Sequence, residues 1–112
     1  MNPLVVIAIA VSHNIKPSES VRYTGQQVQV CGDLVSIKMP DNDFQPHIIS
    51  MENEVDIVVW SNDIPKIEIA PSNLVGDKAC VTGKLEVYKS KPQIVLKNHG
   101  QIKIVNAKDE NI

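Results

Sequence analysis

Period-two alternation of apolar and polar residues recurs along this chain in short segments separated by turn formers. Val28 and Val30 alternate with Gln27 and Gln29, which predicts a half-buried strand from Gln27 to Lys38. Met39-Pro-Asp-Asn-Asp-Phe-Gln-Pro46 is dense in turn residues and reads as a loop. Two short strands follow, His47 to Met51 and Val55 to Trp60, with Glu52-Asn-Glu54 as a hairpin-like turn between them. Alternation fails from Ser61 to Val75, where Pro65 and Pro71 make a long regular helix unfavourable, so this stretch is expected to cross one end of the domain as a loop with one or two short turns. A fourth strand runs from Lys78 to Tyr88, turns at Lys89-Ser-Lys-Pro92 and returns as a fifth from Gln93 to Lys97. Asn98-His-Gly100 breaks the chain before Gln101 to Val105, which reads as a continuation of the fifth strand across a bulge.

One pattern occurs twice, Gly25-Gln-Gln-Val-Gln-Val-Cys-Gly32-Asp-Leu and Gly76-Asp-Lys-Ala-Cys-Val-Thr-Gly83-Lys-Leu. Each copy is a strand entered from a glycine turn and interrupted by a second glycine at the same spacing. Glycine inside a strand commonly marks a bulge or sharp bend, the device that lets a short strand coil around a small barrel. The expectation is a closed five-stranded barrel with the first and fourth strands adjacent and Gly32 and Gly83 at their bends. Pro17-Ser-Glu-Ser-Val-Arg-Tyr23 leads into it as a short helical turn, with Pro early and Glu19 near the positive end of the helix dipole. Strand, loop, two strands, crossing segment and two strands is the order of an all-β OB-fold.

Composition fits one such domain. The chain has 112 residues, 43% hydrophobic, enough for one modest core. Seven prolines and 4% aromatic residues argue against a helical bundle. The domain is placed at residues 15–106, between an apolar N-terminal segment at 1–14 and a polar tail at 107–112. The apolar run Pro3 to Val11 is shorter than the about 20 residues a membrane span needs. Its length suits the apolar core of a secretory signal and Ala8-Ile-Ala10 resembles a cleavage site, although no Lys or Arg precedes it. It reads either as a signal remnant or as a strand or helix packed on the domain.

Net charge is −2, so the molecule as a whole does not advertise a polyanion partner. Its distribution is more telling. From Asp33 to Asp77 two lysines face nine acids, a net of −7, whereas from Lys78 to Lys103 six lysines face Glu86 alone, a net of +5. One half of the expected barrel is acidic and the other basic, either as solvated faces or as working surfaces.

Ile15-Lys-Pro-Ser-Glu-Ser, Val30-Cys-Gly32, Val58-Val-Trp60, Cys80-Val-Thr-Gly-Lys84 and Tyr88-Lys-Ser-Lys-Pro-Gln-Ile94 together resemble small bacterial OB-fold domains of the tRNA-anticodon-binding-like, nucleic-acid-binding type. The resemblance covers about Ile15 to Val105, and its strongest motif is Thr82-Gly-Lys followed by Tyr88 and Pro92-Gln-Ile94. Members of that type occur alone or fused to nucleases. It implies a protein that binds nucleic acid, and the residues themselves, which show no catalytic constellation, point to a non-enzymatic one. The same barrel serves oligonucleotides, oligosaccharides and proteins, so fold alone does not choose among them.

No catalytic constellation surrounds His13, His47 or His99, and nothing in the sequence calls for a cofactor. The acids from Asp41 to Asp63 lack the glycine-punctuated spacing of a calcium loop, and two cysteines do not make a zinc motif. Those cysteines fall on the first and fourth strands. With Val28, Val30, Val81 and Leu85 pointing inward, Cys31 and Cys80 both point outward, so a cross-strand disulfide is sterically reasonable; the alternative is a pair of reduced structural thiols. A bridge favours an extracytoplasmic location, in keeping with the signal-like start.

Nucleic-acid binding asks for cations that track phosphates and flat side chains on which bases stack. Lys84, Lys89, Lys91 and Lys97 lie on the last two strands and their hairpin, with Tyr88 among them. Alternation places Trp60 on the outer face at the end of the third strand, and Phe44 lies in the loop that borders the usual OB groove. Each has a plainer reading: Trp60 as a cover for the core, Tyr88 as a hairpin anchor, and the lysines as guards against edge-to-edge aggregation. Arg22 is the sole arginine, which argues against sequence-specific base readout. The sequence therefore points to a single-strand binder of little sequence specificity. The alternatives are an extracytoplasmic barrel that binds a protein or small ligand through its acidic half, or an accessory domain for a separately encoded nuclease.

Overall fold

A computed structural model describes residues 13–105. The signal-like run and the polar tail lie outside them. Among the described residues are eight strands: β1 (His13–Ile15), β2 (Gln27–Lys38), β3 (His47–Met51), β4 (Val55–Val59), β5 (Lys78–Lys84), β6 (Glu86–Tyr88), β7 (Lys91–Val95) and β8 (Ile102–Val105). Their order in the sheet is β6-β7-β4-β3-β2-β5-β8, with β1 running parallel to β2. β5 and β6 are one chain direction interrupted at Leu85, whose N–H donates to the Gln26 carbonyl at 2.9 Å while its own carbonyl accepts from Gly25 N–H at 2.7 Å. Because Leu85 joins β6, at one end of the path, to β5 near the other, β2, β3, β4, β7 and the continuous β5–β6 close a five-stranded barrel, and β8 extends it beside β5.

The first and fourth strands of the expected barrel are the antiparallel neighbours β2 and β5, in register from Gln27 opposite Lys84 to Asp33 opposite Lys78. That register sets Cys31 directly against Cys80, and the two form a disulfide with an S–S distance of 2.00 Å. Both lie on the outer face because alternation sends Val28, Val30, Ala79 and Val81 into the core. That core also takes Leu34, Ile49, Met51, Ile57, Leu85, Ile94 and Leu96 from the barrel wall, and Ile67 and Leu74 from the crossing segment. Between β4 and β5 the chain makes three short helical pieces, Ser61–Asp63, Ile64–Ile67 and Pro71–Leu74, as its prolines require. Pro17–Tyr23 is a 3-10 turn.

The two strand glycines work differently from the expectation. Gly32 pairs regularly with Ala79 and Gly83 with Val28, and the slip in the β2–β3 ladder falls between Leu34 and Ser36. Neither glycine sits at a bulge; both sit where another element comes too close for a side chain. A Cβ on Gly83 would lie 2.6 Å from Ile94 Cγ2 across the barrel, and one on Gly32 would lie 2.9 Å from Pro17 Cγ. Left-handed backbone belongs instead to Gly25 and Gly76, with φ of 84° and 96°, at the turns entering β2 and β5.

The last described strand also departs from the expectation. β8 does not continue β7 across a bulge: Asn98 caps a 3-10 turn at His99–Gln101, and β8 then pairs antiparallel with β5, Ile102 opposite Val81. β5–β6 and β7–β8 thus make one long hairpin with an excursion at residues 96–101. Its amide staple is Gln101, whose Nε2 donates to the carbonyls of Thr82 at 3.1 Å and Val95 at 3.0 Å. Its Oε1 accepts from the backbone N–H groups of Lys97 at 2.7 Å and Asn98 at 3.2 Å.

Candidate nucleic-acid interface

Because Val55, Ile57 and Val59 fill the core, β4 turns Val58 outward, and Trp60 follows on the same face. Val58 is buried nonetheless, at 3% exposure, although it stands outside the core cluster. What shelters it is a groove of about 350 Å³ on the outside of the barrel, lined by Pro46, Ile48, Val58, Trp60, Tyr88 and Gln93. Register explains the assembly: Ile48 is opposite Val58 on β3 and β4, β7 runs parallel beside β4, and Tyr88 stands opposite Lys91 on the β6–β7 hairpin. Trp60 is 41% and Tyr88 60% exposed, so both rings keep a wet face at the groove. Gln93 is its single amide.

The seven predicted site residues do not form one patch. Trp60 and Tyr88 share the apolar groove. Lys89 lies at the hairpin tip with its Nζ 5.5 Å from the Tyr88 ring centroid, within reach of a cation–π contact. Lys91 is already engaged: its Nζ is 3.8 Å from Asp56 Oδ1 and donates to the Asn53 carbonyl at 3.4 Å. Phe44 is 90% exposed in the loop before β3 and lines neither cavity; its N–H donates to Asn42 Oδ1 at 2.8 Å.

Lys84 and Lys97 belong to a second, polar cavity of about 480 Å³, where they stand with Gln27, Thr82, Glu86, Asn98 and Gln101. The hairpin excursion at residues 96–101 forms one of its walls. Sequence reasoning missed Pro46, which reads as a loop residue, and Ile48, Val58 and Gln93, which in a strand pattern read only as alternation. It also missed Gln101, whose role depends on the four-residue register shift between the two halves of the long hairpin.

Nothing else in the described residues competes as a site. Among them no group of three His, Cys, Asp or Glu is placed to hold a metal ion, and no helix is long and apolar enough to cross a membrane. His47 Nδ1 is buried without a hydrogen-bond partner, at the start of β3.

No protein-family model and no curated protein matches the chain. Solved structures do. Yeast Stn1 and Ten1 superpose with a TM-score of 0.65 at 9% identity, over 89% of this chain and 66% of that one. The OB domain of MM0293 from Methanosarcina mazei gives 0.52 at 10% identity, over 73% of this chain and 74% of that one. OBody AM1L10, solved bound to hen egg-white lysozyme, gives 0.59 at 17% identity, over 88% of this chain and 99% of that one. The chain spans less than two thirds of the S. pombe Stn1-Ten1 chain it also matches, 61%. At such identities the likeness speaks for the backbone, and with the closed barrel it establishes that this chain is an all-β OB-fold domain.

Proposed function

We propose that this domain binds single-stranded nucleic acid without catalysis, with bases stacked in the apolar groove and little dependence on sequence. The observation that carries the reading is the convergence of Trp60 and Tyr88, from β4 and a distant hairpin, on one groove of about 350 Å³. Two wet aromatic faces beside an apolar floor suit a flat, weakly solvated ring, and each stacked base contributes about 1–3 kcal/mol. Lys89 at the rim supplies a phosphate contact. Neighbours of the same fold include Stn1 and Ten1 and an Entamoeba histolytica asparaginyl-tRNA synthetase, which is in keeping with the reading. The disulfide favours an oxidising compartment as its place of action.

A protein ligand is the second reading, favoured by the apolar walls of the groove and by an acid, Asp56, beside it on β4. The barrel of OBody AM1L10 is bound to lysozyme. A titration of the full chain with labelled single-stranded and duplex oligonucleotides at several salt concentrations separates the two. The nucleic-acid reading expects single strands to bind more tightly than duplex, with affinity falling as salt rises. Trp60→Leu and Tyr88→Leu should each weaken binding by about tenfold or more while leaving the salt slope nearly unchanged, since a stacked base releases no counterion. A folded protein that binds no single strand at low salt overturns the proposal.

A further inference from the structure

The polar cavity beside the groove has no part in base stacking, yet its chemistry is specific. Lys84 approaches it from β5 and Lys97 from the chain just after β7, and neither lies within ion-pair distance of an acid among the described residues. Glu86 is the one carboxylate in the wall, so the lining carries a net positive charge. Neutral donors, Gln27, Thr82 and Asn98, complete it, and the exposed Gly100 leaves backbone open to a ligand. Gln101 spends its amide on four backbone partners and so fixes the cavity's shape before anything binds.

Position adds the decisive point. Val95 lines the polar cavity, and its register partner Val58 lines the apolar groove; Glu86 lines the cavity, and its partner Gln93 lines the groove. The two hollows are therefore neighbours on one continuous outer face, about one strand spacing of 5 Å apart. A single strand advances about 3.4 Å per stacked nucleotide, so one leaving the groove crosses the cavity within one or two residues.

Resting on the single-strand reading above, the geometry points to the polar cavity as a phosphate-binding site for the strand whose bases the groove holds. Lys84 and Lys97 are its two cations, and the ligand class is a phosphodiester backbone that turns into the cavity after the stacked base. The minimal ligand is then longer than a dinucleotide.

The test uses the full chain, wild type and the double variant Lys84→Gln/Lys97→Gln; both lysines are exposed, so the fold is not at stake. Fluorescence anisotropy with oligothymidylates from dinucleotide to octanucleotide should show wild-type affinity climbing with length and then levelling. The double variant should lose about tenfold of that climb, and its salt slope should fall by about 1.4, the value for two phosphate contacts on a single strand. In parallel, inorganic phosphate should shift the amide resonances of Thr82, Gly83 and Gln101 in the wild type and not in the variant. Unchanged length dependence and slope in the double variant overturn the site and leave the groove reading standing. If no strand binds the wild type, the groove reading falls; phosphate shifts absent as well then end the cavity proposal, and shifts present retain the cavity as a phosphate site of another ligand.

Discussion

At the scale of single residues, the lysines that look equivalent in the sequence carry different weights in the fold. Lys89 lies over the Tyr88 ring, whereas Lys91 is tied to Asp56 and the Asn53 carbonyl. Removing Lys91 therefore subtracts a cation and also exposes a carboxylate next to the groove. Lys91→Gln should weaken single-strand binding by about two- to fivefold, the range of an exposed ion pair. Adding Asp56→Asn should restore most of that loss, as an anisotropy titration of the double variant would show, while Lys89→Gln has no such rescue. Gly83 is the sharper case for stability. Its missing side chain is what lets Ile94 close against β5, so Gly83→Val should cost about 3 kcal/mol by overpacking, measured as a lower urea midpoint. A matching Ile94→Ala in the same background should recover part of it, which loss of bulge freedom would not predict.

The elements divide into those the pattern of side chains dictates and those that barrel closure dictates. β2 and β3 run between the residues at which alternation starts and stops, and the outward phase of Cys31 and Cys80 follows from the inward phase of four valines and leucines around them. The interruption at Leu85, the slip at Val35 and the excursion after Val95 carry no such mark, because each is set by how a strand must bend to meet its second neighbour. Trp60 was legible as an outer residue, but its partnership with Tyr88, Pro46 and Ile48 required the sheet order. Turns show the same division. Both tight hairpins, three residues between β3 and β4 and two between β6 and β7, place non-glycine residues in the left-handed region, Glu52 and Asn53 at φ of 53° and 59°, Lys89 and Ser90 at 49° and 66°. Such turns favour Asn-Gly, and a left-handed side-chain-bearing residue costs about 1–2 kcal/mol. Ser90→Gly should raise stability by about 0.5–1 kcal/mol after the added freedom of the unfolded chain is counted, read as a higher melting temperature.

For the whole molecule the relevant contrast is between its total charge and its charge layout. The net of −2 suppresses indiscriminate attachment to polyanions, while the six lysines between Lys78 and Lys103 lie on β5, the β6–β7 hairpin, the excursion and β8. If the domain binds single strands as proposed, one approaching from the acidic side would meet repulsion and encounter would be steered toward the lysine-bearing strands. The disulfide acts at the same scale by joining residues 49 positions apart. Chain-entropy reasoning assigns such a loop about 4 kcal/mol, largely through the unfolded state. Cys31→Ala with Cys80→Ala should lower stability by about 2–4 kcal/mol in denaturant melts while strand binding at low temperature persists.

The Cys31–Cys80 bridge makes the stretch between its two cysteines a covalent ring, and that ring contains Pro46, Ile48, Val58 and Trp60 of the groove. Within it, Phe44 is 90% exposed in the loop before β3, the kind of tip that proteases cut first. A single cut there opens the ring without dividing the molecule: β1 and β2 stay joined through sulfur to β5 and everything after it. The nicked protein should migrate as one species without reductant and as two with it, and while the bridge holds, its two pieces should keep the barrel and the groove together.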